Sequence, residues 1–164
     1  MLFQDFLIFA CFNTIMPKLT WFKTKSEEGK TLVFDPLRKR YVTLTPEEEV
    51  RQKVLFLLVE HLAVPAGRLA VEYSIKVNGL NKRCDAVVFN GNMSPLMIVE
   101  CKAASVTLTL KVLDQAVRYY SALHPRFLML YNGNQCYCYR SVEGKLIPVD
   151  SLPKYEEMEA FNQG

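Results

Sequence analysis

The 164-residue sequence has no C-x-x-C pair, and its five cysteines are an odd number. That argues against a structural zinc site and against a disulfide framework. Free cysteines in apolar strand contexts behave as small hydrophobes, and they fit a reducing, cytoplasmic compartment. Net charge is small as well: twenty Lys/Arg against seventeen Asp/Glu leave +3, too little by itself to announce a nucleic-acid binder. No apolar run is long enough to span a bilayer as a helix, so no membrane is expected as a partner. The first fifteen residues are apolar but broken by Gln4, Asp5, Asn13 and Thr14, with no basic residue before them and no small-x-small site after them. A signal peptide fits poorly. A non-native extension is the expectation, with Met16-Pro-Lys-Leu-Thr the more natural start. Repeats and interdomain linkers are also missing. Gly29, Lys30 and Thr31 match the end of a phosphate-binding loop, but Thr24 stands where that loop needs its first glycine. A surface turn is the expected reading.

What is present is a hydrophobic half of the chain, enough for one domain with a real core. Residues 1–30 read as an N-terminal extension, 31–148 as the folded domain and 149–164 as a polar, acidic tail that frays. Between Asn81 and Lys145 there are eight Lys/Arg against four Asp/Glu, which is compatible with a local basic surface.

Thr45-Pro-Glu-Glu opens a helix: Thr45 suits the N-cap, Pro46 the first helical position and Glu48 the third position of a capping box. The helix runs to about His61 with Val50, Val54, Leu57, Leu58 and Leu62 along one face. Glu47 falls inside that apolar arc, where an i, i+4 pair with Arg51 is the structural explanation. His61 reads as a capping or core histidine. A strand follows at 69–77, closed by Asn78-Gly79. Arg83 to Phe89 and Leu96 to Lys102 then form two strands around Gly-Asn-Met-Ser-Pro. A second helix runs from Thr107 to about His124, burying Leu110, Leu113, Ala116, Val117 and Tyr120, with Lys111, Gln115, Arg118 and Tyr119 on its other face. Two strands flank Asn132-Gly133, and Leu146-Ile-Pro-Val suggests an edge strand. The fold class is α/β, an α+β mixed sheet of four to five strands with helices on its faces.

Three ionisable residues interrupt the greasy hairpin: Asp85, Glu100 and Lys102. If residue i faces residue 185 − i, Asp85 lies opposite Glu100, and Lys102 shares Glu100's face. Like charges in that position destabilise the pair, and desolvation adds to the cost. A divalent cation would relieve it.

Asp85, a gap of fourteen residues, then Glu100-Cys101-Lys102 resembles the D…(D/E)-x-K signature of the PD-(D/E)xK nuclease superfamily. Thr45-Pro-Glu-Glu-x-Val-Arg-Gln, Arg83-x-Asp, Val99-Glu-x-Lys and Gln115-x-x-x-Tyr119 occur in the order found in the N-terminal nuclease domain of type I restriction enzyme R subunits and free-standing relatives. The resemblance covers roughly residues 33–140. It departs at Cys84, where proline is usual, and no Walker motif for a helicase motor is found.

The resemblance implies a restriction-endonuclease-like αβββαβ core and an Mg²⁺- or Mn²⁺-dependent deoxyribonuclease. Asp85, Glu100 and the Cys101 backbone carbonyl would hold the metal. Lys102 would orient a water and stabilise developing charge, and Glu47 would reach the metal or its waters from the first helix. Gln115 and Tyr119 would line the cleft, and Lys111 and Arg118 would contact phosphates or simply be solvated. Expected partners are DNA, restriction or helicase subunits on other chains and, for cutting both strands, a second copy. A non-cleaving nucleic-acid-binding or assembly domain is the alternative, as is an interaction module using Tyr131, Tyr137 and Tyr139.

Overall fold

A computed structural model describes residues 21–161. The apolar N-terminal stretch, with its expected non-native character and the proposed start at Met16, lies outside the described residues. Three short strands come first: β1 (Thr24–Glu27), β2 (Lys30–Asp35) and β3 (Arg40–Thr43), paired antiparallel in that order. Glu28 and Gly29 form the β1–β2 turn with φ of 50° and 75°. That geometry suits a two-residue hairpin turn and makes Gly29-Lys30-Thr31 part of a ribbon. Between β2 and β3, the Asp35 carboxylate accepts from the N–H groups of Leu37 and Arg38, both at 2.8 Å, which closes the turn.

Helix α1 (Pro46–Phe56) continues into a π-helical turn at Leu57–His61, where the Leu62 N–H reaches the Leu57 carbonyl at 3.0 Å. After a single 3₁₀ turn come β4 (Leu69–Val77), β5 (Leu80–Phe89), β6 (Pro95–Cys101), α2 (Leu110–Leu123), β7 (Phe127–Tyr131), β8 (Cys136–Val142), β9 (Lys145–Pro148) and α3 (Tyr155–Ala160). From α1 to β7 this is the expected αβββαβ order. The sheet has six strands rather than four to five, in the order β4-β5-β6-β7-β8-β9. Only β6 and β7 pair in parallel, across the α2 crossover.

The sheet is covered on both faces. Val50, Val54 and Leu58 pack with Ala86, Val88, Met97, Val99 and Met129, while Ala116 and Tyr119 pack with Val87, Phe89, Ile98, Leu128 and Leu130. Burial on both sides explains why the central strands read as unbroken apolar runs. Helix α2 is rotated from the sequence expectation. Leu110, placed inside by the apolar pattern, is 79% exposed, and Tyr119, placed outside, is buried. Leu110 is the first residue of the helix and lies beyond the sheet-covering turns. Tyr120 is half-buried and bonds the Ser141 hydroxyl at 2.5 Å. His61 packs edge-on to Phe56 at 5.4 Å.

The C-terminal segment does not fray within the described residues. Met158 on α3 is fully buried, and Arg126 Nη1 donates to the carbonyls of Glu159 at 2.6 Å and Phe161 at 2.7 Å. Its acidic residues hide this in the sequence, because only one face of the short helix is apolar. Among the described residues, no helix is long and apolar enough to cross a membrane.

Candidate active site

The β5–β6 ladder runs Ala86↔Val99, Val87↔Ile98 and Val88↔Met97, so facing residues sum to 185 until a shift next to Phe89. One step beyond Ala86↔Val99, Asp85 faces Glu100. The two carboxylates nevertheless look toward different layers. Ile98 belongs to the α2 face, so alternation puts Glu100 on that face too. In β5 the alternation breaks: Cys84 packs in the α2 cluster and Ala86 in the α1 cluster, with Asp85 at the break. Opposite it, Glu72 is skipped between the pairs Val71↔Ala86 and Tyr73↔Cys84 and has a φ of 53°. The register is the same on both sides of this step, so no residue is inserted; the pairing is interrupted there and the Asp85 side chain turns to Arg51 on α1.

Asp85 is tightly held. Its Oδ1 accepts from Arg51 Nη2 at 2.6 Å and Nε at 3.1 Å, and its Oδ2 accepts from the Cys101 N–H at 2.7 Å. Arg51 also donates to Glu48 and, at 3.3 Å, to Glu47. Glu48 in turn bonds Arg38, whose Nη1 reaches Glu72 at 2.8 Å and whose Nε reaches Asp35 at 2.6 Å. Gln52 Nε2 bonds both Asp35 and Glu48 at 2.9 Å. The ion pairs run as a chain, Asp85, Arg51, Glu48, Arg38, Glu72, which ends on the strand paired with β5. Burial works against the charge on Arg51, but Asp85 and Glu48 outweigh it and raise its pKa further. Three arginines, Arg38, Arg51 and (at 3.5 Å from Glu72) Arg83, meet the five acids Asp35, Glu47, Glu48, Glu72 and Asp85, which leaves the network short of positive charge.

Glu48 is therefore a buried member of this network and not the returning half of a capping box. Thr45 does cap the helix, accepting from the Glu48 N–H at 3.1 Å, but the Glu48 carboxylate turns inward. Glu47, expected to project from the apolar arc, has a half-exposed side chain paired with Arg51. It lies one turn before the packed part of α1, so the arc's direction does not bury it.

Glu100 is the unpaired acid. It is 5% exposed, and its Oε1 is buried without a hydrogen bond. Burial, then the charge of Asp85, pushes its carboxyl up to about 9, while Lys102 and a backbone hydrogen bond at Asp85 act in the opposite direction. Lys102 follows β6 directly, its N–H bonded to the Tyr131 carbonyl at 3.0 Å. The loop after it is tied to the β7–β8 turn by Asn132, whose side-chain nitrogen donates to the Val106 carbonyl at 2.8 Å.

On α2, burial raises the Tyr119 hydroxyl, a hydrogen bond from Gln115 opposes that, and the charges of Glu100, Cys84 and Asp85 add to it. Gln115 and Tyr119 thus border the same acids. Lys111 and Arg118 are exposed on that helix. The structure brings Asp85, Glu100 and Lys102 together with Gln115 and Tyr119. Among the described residues it gathers no group of three or more His, Cys, Asp or Glu side chains that could hold an ion as they stand. Asp35, Arg38, Glu48, Arg51, Gln52 and Glu72 were not singled out by the sequence pattern as site residues. The available signal was Glu48, Arg51 and Gln52 at i, i+3, i+4, polar residues inside a buried helical face.

The family model for the type I restriction enzyme R protein N terminus matches residues 46–153, more than half of the chain. No curated relative matches. Among solved structures, the chain is similar to a fragment provisionally assigned as an HsdR subunit of a type I restriction enzyme from Vibrio vulnificus YJ016. Identity is 16% and the TM-score 0.54, over 71% of this chain and 25% of that one. A protein provisionally assigned as a nuclease of the DUF820 group from Anabaena variabilis ATCC 29413 is 13% identical with a TM-score of 0.46, over 89% of this chain and 88% of that one. The chain thus spans a quarter of the restriction-subunit fragment it resembles. With the αβββαβ core and its paired acids, the match over residues 46–153 makes the chain a member of the type I restriction enzyme R protein N-terminal family, a nuclease-like domain.

Proposed function

We propose that this domain is a metal-dependent nuclease hydrolysing DNA phosphodiester bonds. The observation that carries the reading is Glu100: a buried carboxyl with an unpartnered oxygen, within reach of the charge of Asp85 on the neighbouring strand, with a lysine two residues on. Hard oxygen donors short of positive charge suit Mg²⁺ or Mn²⁺. Asp85, Glu100 and the Cys101 backbone carbonyl are the groups that would hold the ion, with Glu47 close enough to contribute to the charge felt by Glu100. Such an ion supplies Lewis-acid polarisation of a phosphodiester oxygen and a more acidic bound water.

The chain's own residues do the rest. Asp85 is fixed in place by Arg51 and the Cys101 N–H. Lys102 holds positive charge beside Glu100, where it orients the attacking water and meets the negative charge that builds on the phosphate oxygens. Gln115 and Tyr119 form the α2 wall, and Lys111 and Arg118 offer phosphate contacts from the same helix. DNA is the substrate, and any helicase motor or further restriction subunit is a partner on another chain.

The test is incubation of the purified chain with supercoiled, linear and single-stranded DNA in Mg²⁺ or Mn²⁺. Cleavage that disappears in Asp85→Asn and Lys102→Ala is expected. No cleavage, or equal cleavage by Lys102→Ala, overturns the reading. One observation favours a second reading, a DNA-binding or assembly domain that does not cut: Asp85 already has a cationic partner in Arg51. Salt-sensitive DNA binding without cleavage would support it.

A further inference from the structure

Arg51 occupies a position the nuclease reading does not by itself account for. It lies on α1, yet Nη2 and Nε of its guanidinium both end on Oδ1 of Asp85. Its Nη1 ends on Glu48, which Arg38 bonds from the other side. The guanidinium side chain is 10% exposed and the Asp85 side chain 12%. One planar fork therefore spans two carboxylates from different elements, a task a lysine ammonium cannot copy.

The chain of ion pairs gains meaning from what it leaves alone. Asp85 Oδ2 accepts one backbone N–H and no bond from Arg51, so it keeps acceptor capacity. Glu100 receives no hydrogen bond from either arginine, and its Oε1 has no partner. Glu47 is attached to Arg51 by its longest contact, 3.3 Å, with half its side chain exposed. Arg51 thus clamps one oxygen of one carboxylate firmly and holds a second acid loosely at the edge. The clamp is itself clamped: Arg38 ties Glu48 to Asp35 at the β2–β3 turn and to Glu72 on β4, opposite Asp85.

We infer that Arg51 is a positioning residue for the metal centre, itself braced by the Glu48–Arg38–Glu72 chain and holding Asp85 so that its Oδ2 is available to an ion on the Glu100 side before any ion arrives. This rests on the nuclease reading of the site. It adds that the first, three-stranded sheet is part of the active-site scaffold, because Asp35 and Arg38 belong to it and to its turn.

The test is Mn²⁺ binding by calorimetry on the full chain, with Arg51→Met, Arg51→Lys and Asp85→Asn, each checked for folding by thermal melting. Arg51→Met is expected to bind Mn²⁺ about 10-fold to 100-fold more weakly than the parent chain, the range for outer residues that orient a metal ligand. Arg51→Lys keeps the charge but loses the fork, and is expected to rescue folding without rescuing affinity. In the Asp85→Asn background, Arg51→Lys should change affinity no further. If Arg51→Met does not fold, Arg51→Lys carries the test. A folded Arg51 variant that binds Mn²⁺ as tightly as the parent overturns the inference and leaves the nuclease reading standing. A parent chain that neither binds Mn²⁺ nor cleaves DNA removes both.

Discussion

Asp85 and Glu100 face each other on adjacent strands, yet only Asp85 has a cation bonded to it. Arg51 sits 2.6 Å from Asp85, while Glu100 keeps one buried oxygen with no partner. The asymmetry separates the two acids chemically. One is a carboxylate fixed in place by a guanidinium, and the other is a carboxyl that burial holds in its protonated form near neutral pH.

Stability should therefore fall as pH rises. In the unfolded chain Glu100 ionises near its ordinary 4.5, whereas in the fold it retains its proton up to about 9. Between those values the folded state binds more protons, so unfolding becomes easier with each step up in pH. The contribution is complete below 4.5 and is lost progressively up to about 9. Thermal melts across this window should show a declining midpoint in the metal-free protein, and Glu100→Gln should flatten the decline.

The two roles of the α1 N-terminus can be separated by substitution. Thr45→Ala removes one capping hydrogen bond and should cost about 1 kcal/mol. Glu48→Ala strips Arg38 and Arg51 of a shared, buried partner and should cost about 3–5 kcal/mol. Urea unfolding of both variants measures the gap. Equal costs would return Glu48 to a capping role.

The C-terminal helix is the third case. Met158 is fully buried in the cluster that includes Leu62 and Phe127. Met158→Ala should cost about 2–5 kcal/mol, as for any core methionine, where a frayed tail would show almost nothing. Chemical denaturation decides between them.

The sequence makes the central architecture legible because the strands and helices carry strong local signals. The Thr45-Pro46 start, the Asn78-Gly79 and Asn132-Gly133 turns, and the 185 sum of β5–β6 are all written in neighbouring residues. The opposed acids and Lys102 follow from that register. What stayed hidden depends on partners distant in the chain. Glu48 looks like a capping residue until Arg38 and Arg51 converge on it, and Arg51 looks like a surface i+4 partner until β5 breaks its alternation. Met158 is one apolar residue in an acidic helix, and only its docking against the core gives it weight. Leu110 misled because periodicity describes a helix's own faces and not how far the sheet beneath it extends.

The register of β5 against β6 has one more consequence. Two acids carried by neighbouring strands inherit a separation set by the backbone ladder, about 4.5–5.5 Å between facing α-carbons. That spacing is among the least adjustable in a protein, since changing it means breaking main-chain hydrogen bonds on both sides. The main chains that carry Asp85 and Glu100 are therefore held at a fixed spacing, and only rotation of the two side chains changes how near their carboxylates come.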